Sequence, residues 1–332
     1  MTKMDLENHF VTDVWMDALR TNKGYPRVDE KRGLGFAPEA WMPLGKEPEL
    51  REMGEGRIKL MDAAGVDYAV LSLTSPGAEQ FEVEVCKKVA KESNDILAAA
   101  LKKYPTRFGG FASLAPKDPE WSAKELERCV RELGFTGWNT HSNYGDSYID
   151  EKRYWPLLAK VQELDIPIYL HPAVPMIPQL REFGMVLGGP SFGFGTEVMY
   201  AFLRMIVRGV FDEFPKLKII MGHYGEALPF LVDRVDRAYM QKHSTPNPEI
   251  GSGSKEWASH YLKKNLWVTT SGNYLPAAFV CSRDGLGMDK LLLGTDFPYE
   301  SMDDCMSFLA GLPLTDDEQD KLYEANAKAI GF

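Results

Sequence analysis

Cysteine is scarce in this chain of 332 residues: only Cys86, Cys129, Cys281 and Cys305 occur, and none belongs to a C-x-x-C pair. Scattered single thiols exclude a disulfide scaffold and read as reduced side chains in a reducing compartment. Positive charge is also short, since 38 Lys+Arg against 48 Asp+Glu leave a formal net charge of −10. Such a chain repels phosphate backbones and anionic lipid, which excludes nucleic acid and membrane surfaces as principal partners and leaves a small molecule as the expected one. There is no run of 18 apolar residues, and Met1 to Phe10 shows neither the basic region nor the apolar stretch of a signal peptide. A cytoplasmic protein is expected. Internal repeats and low-complexity tracts are lacking, and 44% hydrophobic with 26% charged residues is an ordinary globular composition.

A glycine-rich phosphate loop is missing as well. After the first apolar run, Met4 to Phe10, no glycine occurs before Gly24, which argues against an open dinucleotide-binding sheet. Seven further short apolar runs follow: Asp67 to Leu73, Phe108 to Leu114, Phe135 to His141, Ile166 to Pro172, Lys218 to Tyr224, Leu266 to Gly272 and Lys290 to Asp296. Helix-period stripes lie between them, around Ile58 to Ala64, Val83 to Leu101, Leu126 to Leu133, Tyr154 to Leu164 and Tyr200 to Phe211, with Asp118-Pro119 supplying one helix start. Strands as continuously apolar as Ile219-Ile220-Met221 suit a parallel sheet covered on both faces. Closing eight such units predicts a single-domain (β/α)8 barrel over residues 1–332. Two connections exceed plain βα loops, residues 11–48 and 173–196, both rich in Gly and Pro. Each follows a strand, so each is expected as a lid-like insertion at the C-terminal mouth of the barrel.

Polar residues at strand ends are where barrel enzymes place their chemistry. Here the ends carry Glu7, His9, His141, His171, His223, Ser271, Asn273 and Asp296, so four of the six histidines close a strand. Glu7 and His9 are two apart and share one face of their strand. If that face is the interior, carboxylate and imidazole from strands one, five and eight converge on a mixed N/O site suited to Zn, Mn or Fe. Taken singly, each residue has a plainer reading: a hydrogen-bonded core histidine, a surface Glu7, or Asp296 capping the Phe297-Pro298 segment. The coincidence of five ionisable residues at one end of nonadjacent strands favours a site. His141 stays open between substrate-facing and solvated, and His243 and His260 have no partner in view.

Glu7-x-His9, His171-Pro172, Gly222-His223-Tyr224-Gly225-Glu226-Ala227-Leu228-Pro229, Thr270-Ser271-Gly272-Asn273 and Gly294-Thr295-Asp296-Phe297-Pro298 together resemble the metal-dependent decarboxylase branch of the amidohydrolase superfamily. The likeness spans nearly the whole chain. It implies one divalent ion per chain, Zn2+ or Mn2+, held by Glu7, His9, His171 and Asp296. His223 and Glu226 are implied to stand behind Asp296 and set its state, with Asn273 beside the substrate. Arg234 is implied to reach the substrate of a neighbouring copy, in a homodimer or homotetramer. The implied reaction is a reversible, non-oxidative decarboxylation of an ortho-hydroxy aromatic acid such as a dihydroxybenzoate, with Asp296 as proton donor. Where the branch usually has E-E-H this chain has Glu7-Asn8-His9, a departure that spares both ligands. The competing expectation is a metal-dependent hydrolase of a lactone or amide, but such relatives more often use H-x-H and a strand-end lysine, and neither occurs here.

Overall fold

All eight apolar runs form parallel strands: β1 Met4–Phe10, β2 Tyr68–Leu73, β3 Phe108–Ala112, β4 Gly137–His141, β5 Pro167–His171, β6 Lys218–Met221, β7 Leu266–Thr269 and β8 Leu291–Leu292. The structure is a computed structural model and describes residues 1–240 and 254–332, so His243 lies outside the described residues. Neighbours in the sheet follow chain order. The two edges then meet through Leu6 N to Leu293 O at 2.9 Å, Asp296 N to Glu7 O at 2.9 Å and His9 N to Phe297 O at 2.8 Å. The expected (β/α)8 barrel is the fold.

The helices start and stop for local reasons. Asp118 caps the helix Pro119–Arg131 by accepting a hydrogen bond from Trp121 N, with Pro119 in the first turn. The stripe expected to run unbroken from Tyr200 to Phe211 is split into Gly193–Val207 and Val210–Glu213, because Gly209 takes a left-handed φ of 76°. Four strands also end two or more residues earlier than their apolar pattern. β3 stops at Ala112, β6 at Met221, β7 at Thr269 and β8 at Leu292, so His223, Ser271 and Asp296 stand on the turns just past a strand.

Alternation along the strands builds the barrel interior in layers. Val70, Phe111, Tyr169, Ile220 and Leu292 form one apolar layer with Met4 and Leu6, and Ala327 and Ile330 pack onto it. One pleat further along, the inward positions turn polar: Ser72, His141, His171 and Thr269. β1 reaches the same result through a bulge, as its register against β2 shifts between Asp5 and Asn8. Leu6 and Glu7, adjacent in sequence, therefore both face inward, the first closing the apolar layer and the second opening the polar one.

Both long connections leave the C-terminal end of a strand. Residues 11–48 carry the helix Asp13–Thr21 and a small antiparallel sheet of Arg27–Asp29, Gly33–Gly35 and Trp41–Met42. Residues 173–196 carry two short helices, Pro178–Arg181 and Met185–Gly188. No helix among the described residues is long and apolar enough to cross a membrane. All four cysteines are free.

Candidate active site

Glu7 is buried inside the barrel at 1% exposure. Thr269 on β7 donates its hydroxyl to Glu7 Oε2 at 2.6 Å, while Oε1 has no hydrogen-bond partner. Room for the carboxylate comes from two glycines. A Cβ on Gly222 would lie 2.8 Å from Glu7 Oε1, and one on Gly294 would lie 3.0 Å from Glu7 Oε2.

His9 and His171 present a nitrogen to the same space. Ser72 Oγ sits 3.0 Å from His9 Nδ1, and His9 Nε2 lies 2.9 Å from Asp296 Oδ1. His171 Nδ1 faces the Pro172 carbonyl at 3.3 Å, which can only accept, so that nitrogen carries the hydrogen and the Nε2 lone pair is free. That Nε2 is buried and unpartnered. Burial, then the neighbouring His9, His141 and His223, push the His171 pKa well below its ordinary value, which keeps the ring neutral as a ligand must be.

One ligand atom from each of Glu7, His9, His171 and Asp296 lies within 4.8 Å of the others. Two nitrogens and two carboxylates, with a buried orphan on Glu7 and another on His171, fit a single divalent ion such as Mn2+ or Zn2+. The structure thus brings together the four residues that the resemblance implied.

His223 follows β6 on a tight turn. Its backbone N–H donates to Ser271 Oγ at 3.1 Å, its Nδ1 lies 3.1 Å from the same oxygen, and its Nε2 is 3.9 Å from Glu7 Oε1. Burial lowers its pKa, but Glu7, Glu226 and Asp296 outweigh burial and raise it to about 9. Glu226 is raised by burial, against the pull of His223. His223, Tyr224, Glu226 and Asp296 all have positive φ, between 53° and 59°. Left-handed backbone costs a non-glycine residue about 1–3 kcal/mol, and its concentration here is what turns these side chains from the strand direction into the mouth.

Beneath the four residues, on the outer side of β1, lies a buried brace. Asp5 accepts from Glu7 N at 3.1 Å, Thr295 N at 2.9 Å, Thr295 Oγ1 at 2.6 Å and Asn8 Nδ2 at 2.6 Å. Asn8 in turn accepts from the buried Arg57 Nη1 at 2.9 Å, and Arg57 Nη2 donates to Glu49 O at 2.8 Å. An amide at position 8 can serve a carboxylate and a guanidinium at once. Asn8→Leu is expected to unseat the turn before Asp296 and weaken Mn2+ binding about 10- to 100-fold, as losses behind metal ligands do. Titration followed by electron paramagnetic resonance reads this directly, and unchanged affinity would remove the brace from the account.

The cavity that reaches this cluster at His171 and Asp296 measures about 640 Å³. Phe36 and Met42 from residues 11–48 and Phe192, Phe194 and Thr196 near the end of the second connection wall it, with His223, Glu226 and Asn273 also on its lining. Arg234 is not there: it is exposed on the helix Leu228–Met240 and does not line this cavity. His141 is neither substrate-facing nor solvated. It is fully buried, its Nδ1 lies 3.1 Å from Glu79 Oε2, and its ring meets the His171 ring at 5.4 Å, so it props a neighbouring side chain from outside the cavity. His260 packs its ring edge-on against Tyr261, far along the chain from these elements.

The amidohydrolase family profile matches residues 5–330. The chain belongs to the amidohydrolase family. It falls in the aromatic acid decarboxylase branch of this superfamily. It is 34% identical to a γ-resorcylate decarboxylase from Polaromonas over 99% of this chain and 98% of that one. A 5-carboxyvanillate decarboxylase from Novosphingobium aromaticivorans, complexed with manganese and 4-hydroxy-3-methoxy-5-nitrobenzoic acid, superposes with a TM-score of 0.88 at 32% identity, covering 99% of this chain and 95% of that one. A dihydroxybenzoic acid decarboxylase from Polaromonas, with bound manganese and 2-nitroresorcinol, gives 0.85 at 32% identity, covering 99% and 96%. In this amidohydrolase the groups that sequence reasoning missed are the supports: Ser72, Thr269, Asp5, Arg57 and Glu79. Small polar residues at inward strand positions were the available signal for Ser72 and Thr269.

Proposed function

We propose that this protein is a carboxy-lyase that removes carbon dioxide without oxidation from an ortho-hydroxy aromatic acid, using one divalent ion. The observation that carries this reading is the cluster of Glu7, His9, His171 and Asp296 at the floor of a cavity walled by aromatic side chains. The three relatives named above, which align over nearly their whole length, are decarboxylases of hydroxybenzoates.

Glu7, His9, His171 and Asp296 hold the ion, Mn2+ or Zn2+. When bound, it would supply Lewis-acid stabilisation of negative charge on the substrate. Direct loss of carbon dioxide would leave a ring carbanion, so the ring carbon is protonated first. Asp296 gives its proton to the carbon that bears the carboxylate, the electrons of the breaking C–C bond return to the ring, and carbon dioxide departs. His223 and Glu226, which stand beside Asp296 on the cavity lining, return a proton to Asp296. Asn273 lines the cavity and orients the acid.

Residues 1–332 act as one unit in which 11–48 and 173–196 cover the mouth. Arg234 acts on a second copy's substrate in a homodimer or homotetramer. Phe230, four residues earlier on the same helix, is 78% exposed, and Leu275 on the adjoining segment is 64% exposed, an apolar face that a second copy would cover. Its planar fork suits a carboxylate better than lysine would. Arg234→Ala should retain full manganese by elemental analysis and lose about 10- to 100-fold in turnover, the worth of hydrogen bonds to a charged group. A monomer with full turnover in sedimentation and assay would refute the shared site. The free thiols and acidic charge fit a cytoplasmic enzyme with no nucleic-acid or membrane partner.

The function is tested by carbon dioxide release from 2,6-dihydroxybenzoate with metal-loaded and metal-stripped protein. Release only with metal is expected. A loaded protein that hydrolyses lactones or amides and leaves every o-hydroxybenzoate intact would establish the hydrolase alternative instead. No lysine lines the cavity among the described residues, which counts against the carboxylated-lysine form of that chemistry.

A further inference from the structure

Charge on the cavity wall restricts what else the aromatic acid can carry. Among the described residues the lining includes no Lys or Arg, yet it includes two glutamates besides the ligand set, Glu226 and Glu300. Glu300 sits one turn beyond Asp296, with its backbone N–H donating to Asp296 O at 3.1 Å. Its carboxyl group has no hydrogen-bond partner among the described residues. Burial raises the Glu300 pKa and Asp296 adds to the rise, while His223 and Lys46 pull the other way. Lys46 is exposed and does not line the cavity.

The rest of the wall is largely apolar: Phe36, Met42, Phe192, Phe194 and Met199. Such a surface accepts a ring with alkyl or alkoxy groups. A ring hydroxyl is also suited, because it can donate to the unpaired Glu300 oxygens. A second ring carboxylate meets the opposite situation. Among the described residues the lining offers it no lysine or arginine, His223 already faces Glu7, Glu226 and Asp296, and it brings like charge against Glu300 and Glu226. On the shared-site reading, Arg234 of a second copy is already engaged with the carboxylate that leaves.

We infer that the pocket selects hydroxybenzoates with one carboxylate and rejects rings bearing a second, with Glu300 as the residue that sets this preference. The inference rests on the decarboxylase reading of the same site and narrows its substrate class to monocarboxylic acids. It also separates this chain from the relative that was crystallised with a nitrobenzoic acid, whose ring carries a carboxylate beside the nitrophenol core.

Two probes that differ by one carboxylate test it: 2-nitrophenol and 4-hydroxy-3-nitrobenzoate. Each is titrated calorimetrically into the manganese-loaded protein at a pH where both phenols are ionised. The expected result is weaker binding of the carboxylated probe, on the order of 100-fold, the equivalent of an uncompensated like-charge contact. Glu300→Gln should narrow the gap by improving the carboxylated probe while leaving 2-nitrophenol nearly unchanged. Equal or tighter binding of 4-hydroxy-3-nitrobenzoate to the unmodified protein would overturn the inference, as would a gap that Glu300→Gln leaves untouched. Carbon dioxide release from 2,6-dihydroxybenzoate, assayed on the same sample, keeps the two readings apart. Turnover with the probe preference reversed overturns the selectivity alone. The expected preference without turnover supports the selectivity and overturns the chemistry, and failure of both probes to bind overturns both.

Discussion

Alanine at position 171 should yield a folded barrel that no longer retains its divalent ion. His171 contributes a buried, neutral Nε2 with no other partner, one of four ligand groups in the cluster. Groups that merely support a metal ligand are worth about 10- to 100-fold in affinity, so loss of the ligand itself should exceed about 100-fold. Decarboxylation should fall with it to the level of metal-stripped protein. Elemental analysis after gel filtration checks the metal, and circular dichroism checks that the barrel persists. Full occupancy in this variant would exclude the assigned site.

Asparagine at position 296 should separate holding the ion from giving the proton. The side chain keeps an oxygen where Asp296 Oδ1 now lies, 2.9 Å from His9 Nε2, but it has no carboxyl proton to deliver. Removing a general acid costs about 10²- to 10⁴-fold, and any weakening of the metal adds to that. The variant should still bind manganese and a nitrophenol probe, yet show neither carbon dioxide release nor exchange of solvent deuterium into the ring carbon beside the hydroxyl. Near wild-type turnover would move the proton donor elsewhere, and His223 would be the next residue to replace.

The barrel was legible because its strands are short, apolar and regularly spaced, and because function collects at strand ends for topological reasons. Glu7, His9, His171 and Asp296 could be singled out on that ground. Local backbone geometry was not legible. The pattern of Lys218 to Tyr224 reads as one strand, but His223 and Tyr224 take positive φ and form a turn, which sets the direction in which the imidazole points. Likewise, nothing in the alternation of β1 reveals the bulge that lets Leu6 and Glu7 both face inward.

The supporting contacts were hidden for a different reason. Ser72 reaches His9 across 63 residues, Glu79 reaches His141 across 62, and Thr269 reaches Glu7 across 262. A single sequence carries no record of such pairings; they exist only once the sheet has closed. Arg57 is the sharpest case. An arginine in an amphipathic helix reads as a surface residue, yet here it is fully buried against Asn8.

The central claim is that the ring carbon takes up a solvent-exchangeable proton as carbon dioxide leaves, with the ion in place. Turnover of 2,6-dihydroxybenzoate by the manganese-loaded protein in D2O, followed by nuclear magnetic resonance, tests it most directly. The account predicts resorcinol with one deuterium at the carbon that carried the carboxylate, one carbon dioxide per product, and neither from metal-stripped protein. Undiminished turnover by the metal-stripped protein, or a loaded protein that leaves this and every other o-hydroxybenzoate unchanged, would contradict it.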